Sequence, residues 1–322
     1  MINNKFDFGI KDFSLKHKLS NGRVYRVISV VGKKIKLVGE NGALHNIDLA
    51  YTNLAKLKVD KILVGDYVNY SLNNKNIIKV YPRHNILSKA TSNAEKSWHV
   101  KKQERLIASN VNQIWVMIAV NQRFTIEKLE RYLETFHISN QDPLILLSKI
   151  DHLAECKKIE NKIKRTYPTL KIKKVSIYLP ETIQQLKQNL IKNQTIAVVG
   201  ASGVGKSTLL NELSGKTINK INGVRSGDQK GKHTTTNVTL NAIPSLGIYY
   251  IDTPGFKTIS SVINKNTPTV FNDITILSKQ CKFRNCRHMS EPKCAVKLAV
   301  TKGKITKEHY QSYLNFEKRN KK

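Results

Sequence analysis

Acidic residues are scarce in this chain: 23 Asp and Glu stand against 55 Lys and Arg, a formal charge of +32. That imbalance argues against a basic partner and points to a polyanion, because each phosphate that a cationic side chain neutralises releases condensed counterions. Lysine, asparagine and isoleucine are all abundant, yet a drift towards lysine does not by itself strip out carboxylates. Long apolar runs are also missing. The longest, residues 114–120, falls far short of the roughly 20 residues that a spanning helix needs. The first 13 residues mix Asn, Lys and Asp with single apolar residues and offer no continuous core for a signal peptide. A soluble cytoplasmic protein with no membrane partner is therefore expected. Cysteine is equally sparse, four in the whole chain, which excludes a disulfide scaffold; three of them crowd between positions 281 and 294 beside a histidine, the mark of a metal site. Cys156 stands apart and reads as an ordinary helix thiol.

What is present divides into three parts, and 322 residues are enough for two or three domains. Short β-branched runs at 23–31, 33–38, 43–48, 67–72 and 76–80 are separated by turn signals, which predicts a small β-barrel over residues 1–85. Five strands with one longer connection fit an OB-fold, whose exposed face commonly binds RNA. Residues 86–261 alternate apolar strands (113–120, 143–149, 171–176, 195–199, 247–251) with amphipathic helices (126–139, 153–166, 181–190), the signature of an α/β sheet. Residues 262–322 are polar, hold the cysteine cluster, and end in a basic tail with a helix expected around 307–316.

Gly200-Ala201-Ser202-Gly203-Val204-Gly205-Lys206-Ser207-Thr208 is a phosphate loop, with an apolar strand leading in and a helical run leading out. That context lets backbone N–H groups and a helix N-terminus converge on phosphates, while Lys206 reaches the β and γ phosphates and Ser207 ligates Mg²⁺. Asp252-Thr253-Pro254-Gly255 ends a strand about 45 residues later. Asp252 is placed to hold Mg²⁺ through water, and the Gly255 N–H to contact the γ-phosphate. Between them, Gly231-Lys232-His233-Thr234-Thr235-Thr236 offers hydroxyls where a second Mg²⁺ ligand is needed, Thr235 first among them. Ser148-Lys149-Ile150-Asp151 closes another strand. Asp151 suits the donor pair of guanine, and the Lys149 stem suits the face of its ring, so the substrate is GTP rather than ATP.

The order of these segments is the informative feature. The base reader precedes the phosphate loop by about fifty residues, the arrangement of a circularly permuted GTPase. Permutation also puts the switch segments directly before the cysteine region, so contacts of Thr235 and Gly255 with the γ-phosphate are expected to couple to its orientation. In that region Cys281, Cys286, His288 and Cys294 supply three thiolates and one imidazole. This is a full tetrahedral set for one structural Zn²⁺, with no position left open for catalysis.

Taken together, the β-rich start, the permuted order, Gly-Lys-His-Thr-Thr at 231–235 and Cys-x4-Cys-x-His-x5-Cys at the end resemble the ribosome small-subunit-dependent GTPase family, RsgA or YjeQ, over essentially the whole length. The resemblance implies an OB barrel, a permuted GTPase domain and a zinc domain that clamp the maturing small ribosomal subunit and its rRNA. It further implies a monomer whose GTP hydrolysis is stimulated by the subunit and drives release. His233 is the family-implied residue for positioning the attacking water, since Phe256 follows Asp252-Thr253-Pro254-Gly255 where small GTPases have Gln. Two positions depart from the family pattern: Ser148 stands where the reader usually begins with Asn, and Ser176 is followed by Ile177 where Ala is usual. The rival readings are a non-catalytic RNA-binding scaffold and a permuted GTPase acting on another ribosomal particle.

Overall fold

The computed structural model describes residues 6–19, 23–90, 104–137, 143–215, 238–252 and 269–320. A short helix α1 (Ile10–Lys16) precedes five strands: β1 (Val24–Val31), β2 (Lys34–Gly39), β3 (Leu44–Asp48), β4 (Tyr67–Ser71) and β5 (Asn76–Val80). These are the five runs read from the β-branched pattern. They pair antiparallel in the order β3-β2-β1-β4-β5 and curl around Val27, Leu37, Val68 and Ile77. No backbone ladder joins β3 to β5 among the described residues. The gap is spanned by the Thr52 hydroxyl, which donates to Asn76 Oδ1 at 2.8 Å.

Three strands that the patterning did not mark follow this layer: β6 (Ile86–Ala90), β7 (Glu104–Ser109) and, later in the chain, β9 (Phe136–His137), which form a small separate sheet in the order β7-β6-β9. The helix expected at 126–139 is shorter, α2 (Ile126–Thr135), because its last turn is given up to β9.

The main sheet runs β11 (Ile172–Val175), β10 (Leu144–Ser148), β8 (Gln113–Ala119), β12 (Thr195–Gly200), β14 (Ile248–Asp252). All four junctions are parallel. Every residue of β10 and β12 is buried, as a parallel strand covered on both faces requires. The period-2 alternation shows in β8. Ile114 and Val116 face the core shared with α2 and α3 (Leu153–Thr166). Trp115 and Met117 face the core shared with α4 (Pro180–Gln188) and α5 (Lys206–Ser214). The last helices, α6 (Asn272–Ser278), α7 (Ala295–Thr301) and α8 (Lys307–Asn320), join the first of these cores through Ile274, Val296 and Phe316.

An antiparallel strand, β13 (Thr239–Ile243), edges β14 and pairs at Ser29↔Thr239 with β1, so a single hydrogen-bonded sheet of eleven strands passes from the α/β layer into the N-terminal one. Arg26 fastens the same junction. It is 1% exposed and donates to Phe8 O and Thr195 Oγ1, both at 2.8 Å. Its guanidinium lies 4.8 Å from the Tyr67 ring centroid and 5.3 Å from that of Tyr249. Gly65, just before β4, permits a separate close approach to the end of β7: a Cβ there would stand 2.2 Å from the Ser109 carbonyl oxygen.

Candidate nucleotide-binding site and metal centre

Strand β12 delivers the chain to the phosphate loop at the carboxyl edge of the sheet, where parallel α/β layers bind ligands. Gly200 is required at the exit, since a Cβ would lie 2.7 Å from the Met117 carbonyl oxygen on β8. Gly203 and Gly205 have φ of 74° and 96°, a path that turns successive N–H groups inward. Helix α5 begins at Lys206, whose ammonium donates to the carbonyls of Gly200 and Ala201 at 2.8 Å each. Ser207 and Thr208 are exposed in the first turn, while Val204 and Leu209 anchor it from below.

Two strands away, β10 ends in Ser148, 6% exposed. Its hydroxyl donates to the Val204 carbonyl at 2.7 Å, tying the end of β10 to the phosphate loop. The chain then turns sharply: Lys149 has φ of 59°, Ile150 plugs into the core, and the half-exposed Asp151 carboxylate lies 3.5 Å from His152 Nε2. A left-handed conformation at a lysine is uncommon and marks a loop held in place by its surroundings. The loop after β11 completes the enclosure. Ser176 accepts from Tyr178 N–H, and Thr182 Oγ1 accepts from Ser176 N–H. A cavity of about 370 Å³ results, lined among others by Ser148, Lys149, Asp151, Ser176, Tyr178 and Thr208. Its size is within the range of small-ligand clefts, and it has apolar sides with a few convergent polar groups.

Asp252 ends β14, beside the phosphate-loop strand in the register Ala197↔Ile251. His233, Thr235 and Gly255 lie outside the described residues.

Away from the residues that line that cavity, Cys281, Cys286, His288 and Cys294 bring their ligand atoms within 4.8 Å of one another. A tetrahedral zinc, with Zn–S of about 2.3 Å and Zn–N of about 2.0–2.1 Å, sets S···S edges of about 3.8 Å and S···N edges of about 3.5–3.6 Å. The observed separations are 3.8 Å for Cys281 to Cys294, and 3.5 Å and 3.4 Å from His288 Nδ1 to Cys281 and Cys294. Donor set and spacing both fit such an ion. His288 has φ of 59° and its carbonyl accepts from the Tyr310 hydroxyl. Glu291 organises the connecting turn by accepting from the N–H groups of Arg287, Met289 and Ser290. Those bonds and its own N–H hold its carboxyl down at about 2.

With the Ser148–Asp151 segment, the glycine-rich loop and the cysteine cluster in this order, comparison with known proteins decides the family. Residues 80–262 match the family model described as RsgA GTPase. The chain belongs to the RsgA GTPase family. It is 31% identical over 317 residues to small ribosomal subunit biogenesis GTPase RsgA 1 of Listeria innocua, covering 97% of this chain and 88% of that one. RsgA 2 of Lactiplantibacillus plantarum is 35% identical over 264 residues, 79% of this chain and 71% of the relative. Among solved structures, YjeQ from Thermotoga maritima superposes with a TM-score of 0.64 at 24% identity, over 92% of this chain and 98% of that one. YloQ, described as a circularly permuted GTPase, gives 0.63 at 24%, over 94% and 96%. The RsgA-type permuted fold is thereby established for this chain.

Within this RsgA framework the structure adds residues that pattern reading passed over. Gln122, just beyond β8, donates from Nε2 to the Ser202 carbonyl at 3.3 Å and is the side chain nearest to where a Cβ of Gly203 would lie. Nothing local in the sequence singles it out, because only the pairing of β8 with β12 brings positions 122 and 202 together. Arg26 did carry a signal: a cation inside the apolar run of β1 needs buried partners.

Proposed function

We propose that this chain is a small-subunit-stimulated GTPase that binds rRNA through a basic surface and uses hydrolysis to leave a maturing small ribosomal subunit. The observation that carries the reading is the convergence of the Ser148–Asp151 reader, the Ser176 loop and the phosphate loop on one cavity. The names of its relatives supply the ribosomal context, and the charge of +32 fits a nucleic-acid partner. The curled strands β1 to β5 act as an OB-type barrel over residues 1–85, residues 86–261 as the permuted GTPase domain, and residues 262–322 as a zinc domain. No described helix is long and apolar enough to cross a membrane; the place of action is the cytoplasm, and the unit is a monomer.

In this reading Asp151 accepts from guanine N1 and N2 while the Lys149 stem lies along the ring. The phosphate-loop N–H groups and Lys206 hold the β and γ phosphates. Ser207 and Thr235 would hold Mg²⁺, with Asp252 holding it through water, and the ion would supply positive charge against that developing on the phosphate oxygens. His233 orients the water whose oxygen attacks the γ-phosphorus as the bond to the β–γ bridging oxygen breaks, and GDP takes that electron pair. Gly255 senses the γ-phosphate. Cys281, Cys286, His288 and Cys294 hold zinc as a structural ion.

Turnover measured with and without purified small subunits tests the proposal. Slow intrinsic hydrolysis, strong stimulation and loss of both with Lys206→Ala are expected. Equal turnover with and without subunits refutes the ribosomal role, and unchanged turnover of Lys206→Ala refutes the catalytic one. Asp151→Asn is expected to shift preference towards xanthosine nucleotides; an ATPase would not respond in that way.

A further inference from the structure

Tyr178 is an aromatic side chain with no evident structural task. It is 78% exposed, and it stacks on no other aromatic ring among the described residues. Its backbone, by contrast, is firmly held. The Tyr178 N–H donates to Ser176 Oγ at 3.2 Å, and Leu179 N–H donates to Ser176 O at 3.2 Å. The Thr182 hydroxyl donates to Leu179 O at 2.7 Å, and Pro180 opens α4. A loop anchored at each end that holds a large ring out into water is built for a ligand, since exposed aromatic surface contributes nothing until something covers it.

The ring stands on the rim of the cavity described above. Apolar walls come from Met117, Ile183, Val204 and Leu209, all buried. The polar lining includes Lys149 and Asp151, and the most exposed lining side chains include Ile177 and Tyr178, 41% and 78% exposed. A cavity with apolar walls and a carboxylate in its lining suits a planar heteroaromatic base whose donors meet the carboxylate and whose faces meet hydrocarbon and aromatic surface.

We infer that Tyr178 is a nucleotide-binding residue whose ring closes over the base held by Asp151, on the face opposite the Lys149 stem, and so sets how long GDP stays bound. The inference rests on the guanine-nucleotide reading of the cavity. Every base presents a π-face, so stacking adds affinity without choosing between purines. Selectivity therefore belongs to Asp151 and dwell time to Tyr178. The division also bears on the departure at Ser148, which is spent on the phosphate loop: a stacked ring supplies the hold on the base that a longer reader residue gives elsewhere.

The test is release of a fluorescent GDP, labelled on the ribose, followed by stopped flow after mixing with excess unlabelled GDP. Tyr178→Ala is expected to release it about tenfold faster, which corresponds to about 1.4 kcal/mol; Tyr178→Phe stays within about twofold of the parent, because the π-face survives. Melting temperatures without nucleotide should coincide for all three proteins, since the ring is solvent-exposed. Competition by ADP as strong as by GDP against the parent protein overturns the guanine reading alone. Equal release from the parent and Tyr178→Ala, for whichever nucleotide binds, overturns the stacking role. A Tyr178→Ala protein that releases GDP normally and loses only its response to subunits overturns it too, and makes Tyr178 a subunit contact.

Discussion

The Ser148 hydroxyl offers the sharpest test of how the reader and the phosphate loop work together. Ser148→Ala deletes one buried oxygen and leaves β10 otherwise intact. The lost bond is the 2.7 Å donation to the Val204 carbonyl, with a weaker 3.4 Å approach to Ile118 O. A buried neutral hydrogen bond contributes about 0.5–1.5 kcal/mol net, and an acceptor left without a partner costs about 1–3 kcal/mol. Val204 is 2% exposed, so its carbonyl recovers little from solvent, and a penalty of about 1.5 kcal/mol is expected. In the proposed reading this bond holds the loop in its phosphate-accepting path, so much of that penalty should fall on nucleotide affinity, about tenfold in Kd for GDP. Titration calorimetry measures it, with urea unfolding in parallel to separate affinity from global stability. Ser148→Asn carries the opposite expectation: the longer amide keeps the tie and adds a contact to the base, worth about 0.5–1.5 kcal/mol or roughly two- to tenfold tighter binding. A Ser148→Ala protein that binds GDP within twofold of the parent refutes the reasoning, whatever the Asn variant does.

Other consequences follow from the same contacts. Arg26→Met keeps the apolar stem but leaves Phe8 O and Thr195 Oγ1 without their donor. Relief of a buried charge offsets part of the loss, so a net destabilisation of about 2 kcal/mol is expected, read as a shifted urea midpoint; no shift would mean that the guanidinium is not a fastener. Removal of the ion from the cysteine cluster with a chelator, or Cys286→Ser, should abolish one equivalent of zinc by metal analysis and expose Ile274 and Val296, seen as faster amide exchange in α6 and α7; unchanged exchange argues against a structural ion. Asp273 is held below the usual carboxylate range: burial pushes it up, but the hydrogen bond and charge of His309 and the Ile274 N–H outweigh burial. A depressed folded value means that this bond's contribution is full above the unfolded pKa of about 3.9 and fades as pH falls through the folded value. Docking of α8 should therefore loosen in that acid window in the parent, and Asp273→Asn should flatten the response.

The glycine-rich loop, the Ser148–Asp151 segment and the cysteine cluster stood out in the sequence because each is short and is formed by residues close together in the chain. Glycines at 200, 203 and 205 specify a backbone path, and four ligands within fourteen positions specify a cluster. The alternation of strands and helices was likewise readable from burial on one face or two. The sequence could not reveal which strands become neighbours. Thr239 was an unremarkable polar position until β13 paired with β1, and Phe136 and His137 read as the end of a helix until β6 offered an edge. Ser148 showed only as a departure from the family's reader; its bond to Val204, 56 positions away, exists because β10 and β12 flank β8. Tyr178 and Gln122 carried no signal at all, because their significance is the cavity and the loop they face. Local backbone geometry and the clustering of Cys and His are written in nearby residues, so the amino-acid sequence determined them alone. Contacts between distant segments depend on strand order and sheet closure, so only the tertiary structure decided that the Ser148–Asp151 segment, the glycine-rich loop and an exposed tyrosine line one cavity.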